Sequence, residues 1–215
     1  MEQAMKQEEK KKAYAFLDVY IAALPENVPL GEVINALRRE EIAGASSETV
    51  KREKYFVWQL LAYAISHSLG LDIDTLDIRK EFYGGWSLDG ISLSLSHSGN
   101  ALAVAISRDA VGVDIEYVHS PRSQATAQRV MTEEEFCAYN ALSEEERTVR
   151  FIEIWTAKEA IFKSQGRELF VPREIDTVSE SYRTAHITVA DEQYIFSVAT
   201  AHPESIRLFT EIALS

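Results

Sequence analysis

Asp114 and Glu116 stand two residues apart in Val111-Gly112-Val113-Asp114-Ile115-Glu116, a run that reads as a β-strand. Strand side chains at that spacing share a face, so both carboxylates project together while Val113 and Ile115 turn toward a core. Adjacent carboxylates repel unless both are well solvated or a cation sits between them, and hard oxygen ligands of this kind suit Mg²⁺. A solvated strand end explains the same pair. Farther on, Trp155-Thr156-Ala157-Lys158-Glu159-Ala160-Ile161-Phe162-Lys163 sets Glu159 and Lys163 one helical turn apart. They read either as part of a site or as an exposed ion pair worth only about 0.3 to 0.5 kcal/mol. Upstream, Ser94-Leu95-Ser96-His97-Ser98-Gly99-Asn100 gathers hydroxyls, an imidazole and a turn whose amides could converge on an anion. An ordinary histidine at a hairpin end is the alternative.

The elements that must position these residues follow from periodicity. Phe56, Val57, Leu60, Leu61, Ala64 and Ile65 recur at helical spacing between Val50 and Leu69, and Gly70 supplies a stop. In Ile91-Ser-Leu-Ser-Leu-Ser-His the apolar residues alternate with serines, as in a strand with one buried face, and Ser98-Gly99-Asn100 turns the chain. Residues 101–107 return as a second strand, and the Asp114 segment is expected as the third strand of an antiparallel meander. Two helices follow. One starts at Thr132, where Glu135 has capping-box spacing, and the other runs from about Glu145 to Gln165 before Gly166. The runs 185–189, 194–200 and 207–214 are rich in Ile, Val, Phe and Thr and read as strands, so the order is α+β.

Composition bounds the rest. With 215 residues, 46% of them hydrophobic, the chain can build a substantial core. A formal net charge of −12 argues against nucleic acid as a partner and requires any phosphate site to be local. The charged start, Met-Glu-Gln-Ala-Met-Lys-Gln-Glu-Glu-Lys-Lys-Lys, does not have the apolar core of a secretory signal, and no apolar run approaches the roughly 20 residues that cross a bilayer. The single Cys137 supports neither an internal disulfide nor a thiolate zinc site. A cytoplasmic protein is the expectation.

Taken together and in order, Ser-His-Ser, Val-Gly-Val-Asp-Ile-Glu and Trp-Thr-x-Lys-Glu-Ala-x-x-Lys resemble the signature of the phosphopantetheinyl transferases, in the longer, surfactin-synthetase-activating type. Asp114 and Trp155 are 41 positions apart, in keeping with the long gap of that signature. The resemblance implies two similar α/β halves in a pseudo-two-fold arrangement, each with an antiparallel sheet and packed helices. The first, 1–110, would carry the Ser-His-Ser strand and the 3'-phosphate side of coenzyme A; the second, 111–215, the metal and catalytic motifs. It implies transfer of 4'-phosphopantetheine from coenzyme A to a serine of an apo acyl or peptidyl carrier protein, releasing 3',5'-ADP, by a monomer. Asp114, Glu116 and Glu159 would hold Mg²⁺, with Mn²⁺ as an alternative, and Asp114, Glu159 and Lys163 would be catalytic. Lys158 and Lys163 would neutralise phosphate oxygens, Ser96 and His97 would contact the pyrophosphate and 3'-phosphate regions, and Lys51, Arg52 and Lys54 would serve the 3'-phosphate. Glu135 lies near another acidic position of the family, although its capping-box spacing offers a purely structural role. The serine proton would pass to a carboxylate such as Glu159 or to a water. A non-catalytic relative that binds coenzyme A or a carrier protein is the alternative. One departure stands out: many relatives carry Gly-Lys-Pro before the Ser-His-Ser strand, where this chain has Phe82-Tyr83-Gly84-Gly85-Trp86, with Arg79 and Lys80 nearby.

Overall fold

The computed structural model describes residues 16–81, 84–118 and 123–214; the charged start and the pair Phe82–Tyr83 lie outside them. Two long helices dominate, each punctuated by its own sequence. Helix α2 (Glu48–Leu69) starts at Ser47, whose hydroxyl accepts from the Val50 amide, and stops at Gly70, where φ is 68°. A residue with a β-carbon rarely adopts that left-handed backbone. Helix α5 (Glu144–Gln165) starts on a Ser143–Glu146 capping box and stops at Gly166, φ 59°. The shorter helices are α1 (Ala36–Ala43), α3 (Gln124–Val130) and α4 (Glu133–Asn140), the last closed by the expected Thr132–Glu135 capping box.

Strands β1 (Leu17–Ala23), β2 (Arg79–Lys80), β3 (Trp86–Leu88), β4 (Ile91–Ser98), β5 (Ala101–Ser107) and β9 (Ile206–Ile212) form a six-stranded sheet in the order β2-β3-β4-β5-β1-β9. Strands β6 (Gly112–Tyr117), β7 (Tyr182–Val189) and β8 (Glu192–Ala199) form a second sheet, β6-β8-β7. The meander expectation is therefore corrected: β4 and β5 pair, but β6 leaves them for β8, placing Asp114 opposite Ser197. Strand β9 returns to the first sheet and runs parallel to β1, so that sheet draws on both sides of a 110/111 boundary.

Helix α2 covers one face of the six-stranded sheet with Phe56, Leu60, Leu61 and Ile65, all fully buried. Its other face packs on the second sheet through Val19, Ile21, Ala101, Ala103 and Ala105 against Val113, Ile115, Phe196 and Val198. The alanines of β5 keep that seam thin. Helix α5 lies over the outer face of the second sheet, and Gly112 explains how closely. A β-carbon built there would fall onto the Ala160 carbonyl oxygen and 2.7 Å from the Ser164 amide nitrogen. Only a glycine lets β6 approach the helix that carries Glu159 and Lys163.

The serines of β4 do not face water as simple alternation suggests. Ser94 and Ser96 are buried, and the hydroxyls of Ser92, Ser94, Ser96 and Ser98 accept from the backbone amides of Val111, Val113, Ile115 and Tyr117. The two sheets are thus joined along this edge by side-chain oxygens in place of a backbone ladder, which satisfies amides of β6 that would otherwise be buried without partners. No helix among the described residues is long and apolar enough to cross a membrane.

Candidate active site

Because β6 alternates, Val113 and Ile115 enter the core between the sheets while Asp114 and Glu116 face the α5 side. Asp114 is almost wholly buried, at 3% exposure. The Lys163 ammonium donates to Asp114 Oδ1 at 2.7 Å and to the Val113 carbonyl at 3.1 Å, and lies 3.5 Å from Glu159 Oε2. Ser96 Oγ donates to the same Asp114 oxygen at 2.7 Å, and Ser98 Oγ donates to Glu116 Oε2 at 2.7 Å. Two acids far apart in sequence, Asp114 and Glu159, are thereby gathered around one lysine, with Glu116 two residues from Asp114 on the same strand.

The electrostatics carry the mark of this crowding. Burial first, and then the negative charge of Asp114, push the Glu159 carboxyl up to about 7, with Glu116 adding to the rise and Lys163 opposing it. Burial works against the Lys163 ammonium, yet Asp114 and Glu159 hold it above the ordinary lysine range. Asp114 Oδ2 is buried with no hydrogen-bond partner, which is costly for a carboxylate oxygen in a protein interior. An unpaired hard oxygen beside two more carboxylates matches the donor chemistry of a divalent cation. Among the described residues no group of three or more His, Cys, Asp or Glu side chains is placed to hold a metal ion, and Lys163 lies against Asp114 and Glu159.

Lys163 also lines a cleft of ≈ 310 Å³ that runs from α5 to α2. Its polar wall holds Arg38, Lys54, His97 and Arg167 together with the acid Glu41; Trp86, Leu95 and Phe162 supply apolar surface. In a chain of net charge −12, this is the kind of local basic concavity that an anionic ligand requires. Arg38 is buried and donates to the Lys54 carbonyl and, at 2.8 Å, to Glu41, and burial lowers its guanidinium to about 10. His97 stands 3.3 Å from Glu53. Burial, then the charges of Arg38, Lys163 and Lys54, lower it to about 4, so its imidazole is neutral near pH 7.

Several expected site residues sit elsewhere. Lys158 does not reach the cleft: it is fully buried and donates to Glu135 at 2.7 Å, the Ile175 carbonyl at 2.6 Å and the Pro172 carbonyl at 2.9 Å, which uses all three of its protons. Glu135 completes that pair, taking the Thr177 hydroxyl as well as the Thr132 amide, so it stands in a structural network apart from Asp114. Arg52 clamps the carbonyls of Pro25, Glu26 and Val28 and stacks over Phe56. Lys51 pairs with Glu48 one turn away, leaving only Lys54 of that basic run on the cleft. Ser96 has a single hydroxyl proton, already given to Asp114, so it is not an oxyanion donor in this arrangement.

Sequence reasoning missed Arg38, Arg167 and Ser98. Arg38 lies in Leu-Arg-Arg-Glu-Glu, which has the pattern of a solvated helix surface, and only its spacing to Glu41 hinted at a fixed pair.

A sequence profile of the 4'-phosphopantetheinyl transferase superfamily matches residues 110–209, the stretch from β6 into β9 that contains both motifs. A 4'-phosphopantetheinyl transferase of Bacillus subtilis is 26% identical over 164 residues, covering 67% of this chain and 72% of that protein. The transferase Sfp of Bacillus subtilis strain 168 is 25% identical over 162 residues, with the same coverage. The transferase gsp of Aneurinibacillus migulanus is 30% identical over 105 residues, 48% of this chain and 44% of that protein. The acids and Lys163 of the two motifs are brought to one place, and over residues 110–209 the chain is similar to the 4'-phosphopantetheinyl transferase superfamily.

Proposed function

We propose that this protein transfers the 4'-phosphopantetheine arm of coenzyme A to a serine hydroxyl of an apo acyl or peptidyl carrier protein. The serine oxygen bonds to the β-phosphorus, the bond from that phosphorus to the bridging oxygen breaks, and 3',5'-ADP leaves with the electron pair. Transfer of this kind depends on alignment and on stabilising charge that grows on the phosphate oxygens. The observation that carries the reading is the meeting of Asp114, Glu116, Glu159 and Lys163 beside a basic cleft.

Asp114, Glu116 and Glu159 would hold Mg²⁺, or Mn²⁺ in its place, and the ion would neutralise and orient the diphosphate of coenzyme A. The unpaired Asp114 Oδ2 supports that assignment. Lys163 supplies a second positive charge at the reacting diphosphate once it leaves its resting contact with Asp114. Arg38, Lys54 and Arg167 offer charge to the remaining phosphate, and neutral His97 can donate one hydrogen bond without adding charge. The serine proton would pass to a carboxylate such as Glu159, directly or through a water.

The topology supports the two-half reading. In the first half β5 lies between β1 and β4, in the second β8 lies between β6 and β7, and each half has one 22-residue helix with a serine N-cap and a left-handed glycine stop. Two such halves in one chain suit a monomer that needs no partner copy to build the cleft, working in the cytoplasm. The test is labelling of an apo carrier protein by fluorescent coenzyme A with Mg²⁺. Wild-type protein labels it, and Asp114→Ala, though folded by circular dichroism, loses at least about 100-fold in rate. A wild-type protein that binds coenzyme A without labelling any apo carrier protein would favour the binding-only alternative.

A further inference from the structure

We infer that Glu41 is a positioning residue for phosphate recognition: it gathers Arg38, Lys54 and Lys80, from three separate elements, into one cluster that receives the 3'-phosphate of the ligand. This rests on the coenzyme A reading proposed above. Both oxygens of the Glu41 carboxylate are engaged. Oε2 accepts from Arg38 Nη1 at 2.8 Å along α1, and Oε1 pairs with the Lys80 ammonium on β2. The Glu41 backbone carbonyl accepts from Lys54 Nζ of α2 at 3.1 Å, and the Lys54 carbonyl in turn accepts from Arg38 Nη2. Glu41, Arg38 and Lys54 line the cleft, and the Lys80 ammonium lies 5.5 Å over the ring of Trp86, another lining residue.

Charge points to the class of ligand. In these four residues three positive charges meet one negative charge, and three minus one leaves two for a ligand. A phosphate monoester carries about −1.5 to −2 near pH 7, whereas a phosphodiester or a carboxylate carries a single charge. The cluster matches the monoester, the group that distinguishes coenzyme A from dephospho-coenzyme A.

An acid inside an anion site works by holding its cations still. The Lys80 side chain is 33% exposed on a two-residue edge strand, so without Glu41 it would turn freely into solvent. Held over Trp86, it has already given up the rotamer freedom that ligand binding would otherwise have to remove. Arg38 is nearly buried, and a guanidinium there needs a counter-ion. Its plane lies 5.7 Å over Trp58, and its Nε–H is buried with no hydrogen-bond partner among the described residues, an unsatisfied donor within the cluster. Arg52 provides the contrast. It stands two residues before Lys54 on α2, yet without such an acid it spends its guanidinium on the carbonyls of Pro25, Glu26 and Val28.

The experiment is calorimetric titration of the full chain with coenzyme A and with dephospho-coenzyme A, without carrier protein, read as the ratio of the two dissociation constants. Wild type is expected to prefer coenzyme A, and Glu41→Gln, near-equal in volume but uncharged, to lose that preference by at least about 10-fold, the size of a charge-assisted contact. A variant that merely unfolds loses sites for both ligands alike and leaves the ratio unchanged. Lys80→Met is expected to lose part of the preference, and Glu41→Gln should cost less in that background than in wild type, because the two residues act through one contact. Should Glu41→Gln not fold, Lys80→Met carries the test alone, since Lys80 is exposed. An unchanged ratio in the variant measured overturns the positioning role, and a stronger preference for coenzyme A in Glu41→Gln overturns it too, by showing that Glu41 competes with the phosphate. Equal binding of the two ligands by wild type overturns the inference and leaves the coenzyme A reading intact; failure of wild type to bind coenzyme A overturns both.

Discussion

Glu159 is the residue at which the cost of the site is most visible. Its carboxyl is held near 7 by burial and by Asp114 and Glu116, so folding the metal-free chain at high pH forces a charge into unfavourable company. An acid whose folded value is raised takes up protons on folding, so it favours the folded state at low pH. The penalty begins as pH rises past the unfolded carboxyl value, about 4.3, and is complete above 7. Metal-free protein should therefore lose up to about 3 kcal/mol of stability between about pH 4.5 and 7 from this residue, by the energy equivalent of a pKa shift. Denaturant melts of wild type and Glu159→Gln across that range check it: the difference between them should grow with pH, and saturating Mg²⁺ should shrink it. The four residues of the two motifs were legible because chemistry restricts them to few types and because strand and helix periods assign each a face. Lys158 misled for the same reason: its motif position marks it, but only packing reveals that the chain has buried it against Glu135.

At the level of elements, the contact between β6 and α5 governs whether the acids meet. Gly112→Ala drives a methyl into the Ala160 carbonyl, which belongs to helix backbone and cannot rotate away. Overpacking of this severity costs about 3 kcal/mol and should move Glu159 and Lys163 off Asp114, so labelling should fall further than the folded fraction measured by melting. The Glu135–Lys158 pair is a second support, tying the same helix to α4. Burial alone would raise the Glu135 carboxyl, but Lys158, Thr177 and the Thr132 amide hold it below the ordinary glutamate range. Lys158→Met strands that carboxylate and should destabilise by about 3 to 5 kcal/mol, with activity lost only as the folded fraction is lost. A thermal melt and a rate measured on the same sample separate these two outcomes. Helix α5 was readable to within a residue, since its apolar spacing and the Gly166 stop are local signals, whereas its Ser143–Glu146 capping box was not singled out. The pairing of β6 with β8 was not, because sheet partners eighty residues apart leave no local trace. Strand β1 was likewise hidden: Leu-Asp-Val-Tyr-Ile-Ala-Ala carries Asp18, which reads as an exposed residue until its partners Arg207 and Ser68 are known.

For the molecule as a whole, the sign of the charge and the nature of the cleft pull in opposite directions. A net charge of −12 repels coenzyme A and acidic carrier proteins at long range, whereas Arg38, Lys54, Lys163 and Arg167 attract phosphate once it arrives. The Michaelis constant for an acidic carrier protein should accordingly change less than about threefold between 50 and 300 mM NaCl, because steering contributes little; a steep loss of affinity would show that a basic docking face dominates. Composition supplied that expectation, but not the location of the basic cluster, since Arg38 and Arg167 are far apart in sequence and come to one cleft only in the folded chain. The central claim is that Asp114, Glu116 and Glu159 converge on one divalent cation that holds a diphosphate. The most direct measurement is anomalous diffraction at the manganese edge from crystals grown with coenzyme A and Mn²⁺. A peak between these three carboxylates and the diphosphate is the predicted result; a diphosphate bound with its manganese elsewhere, and Lys163 still seated on Asp114, would contradict it.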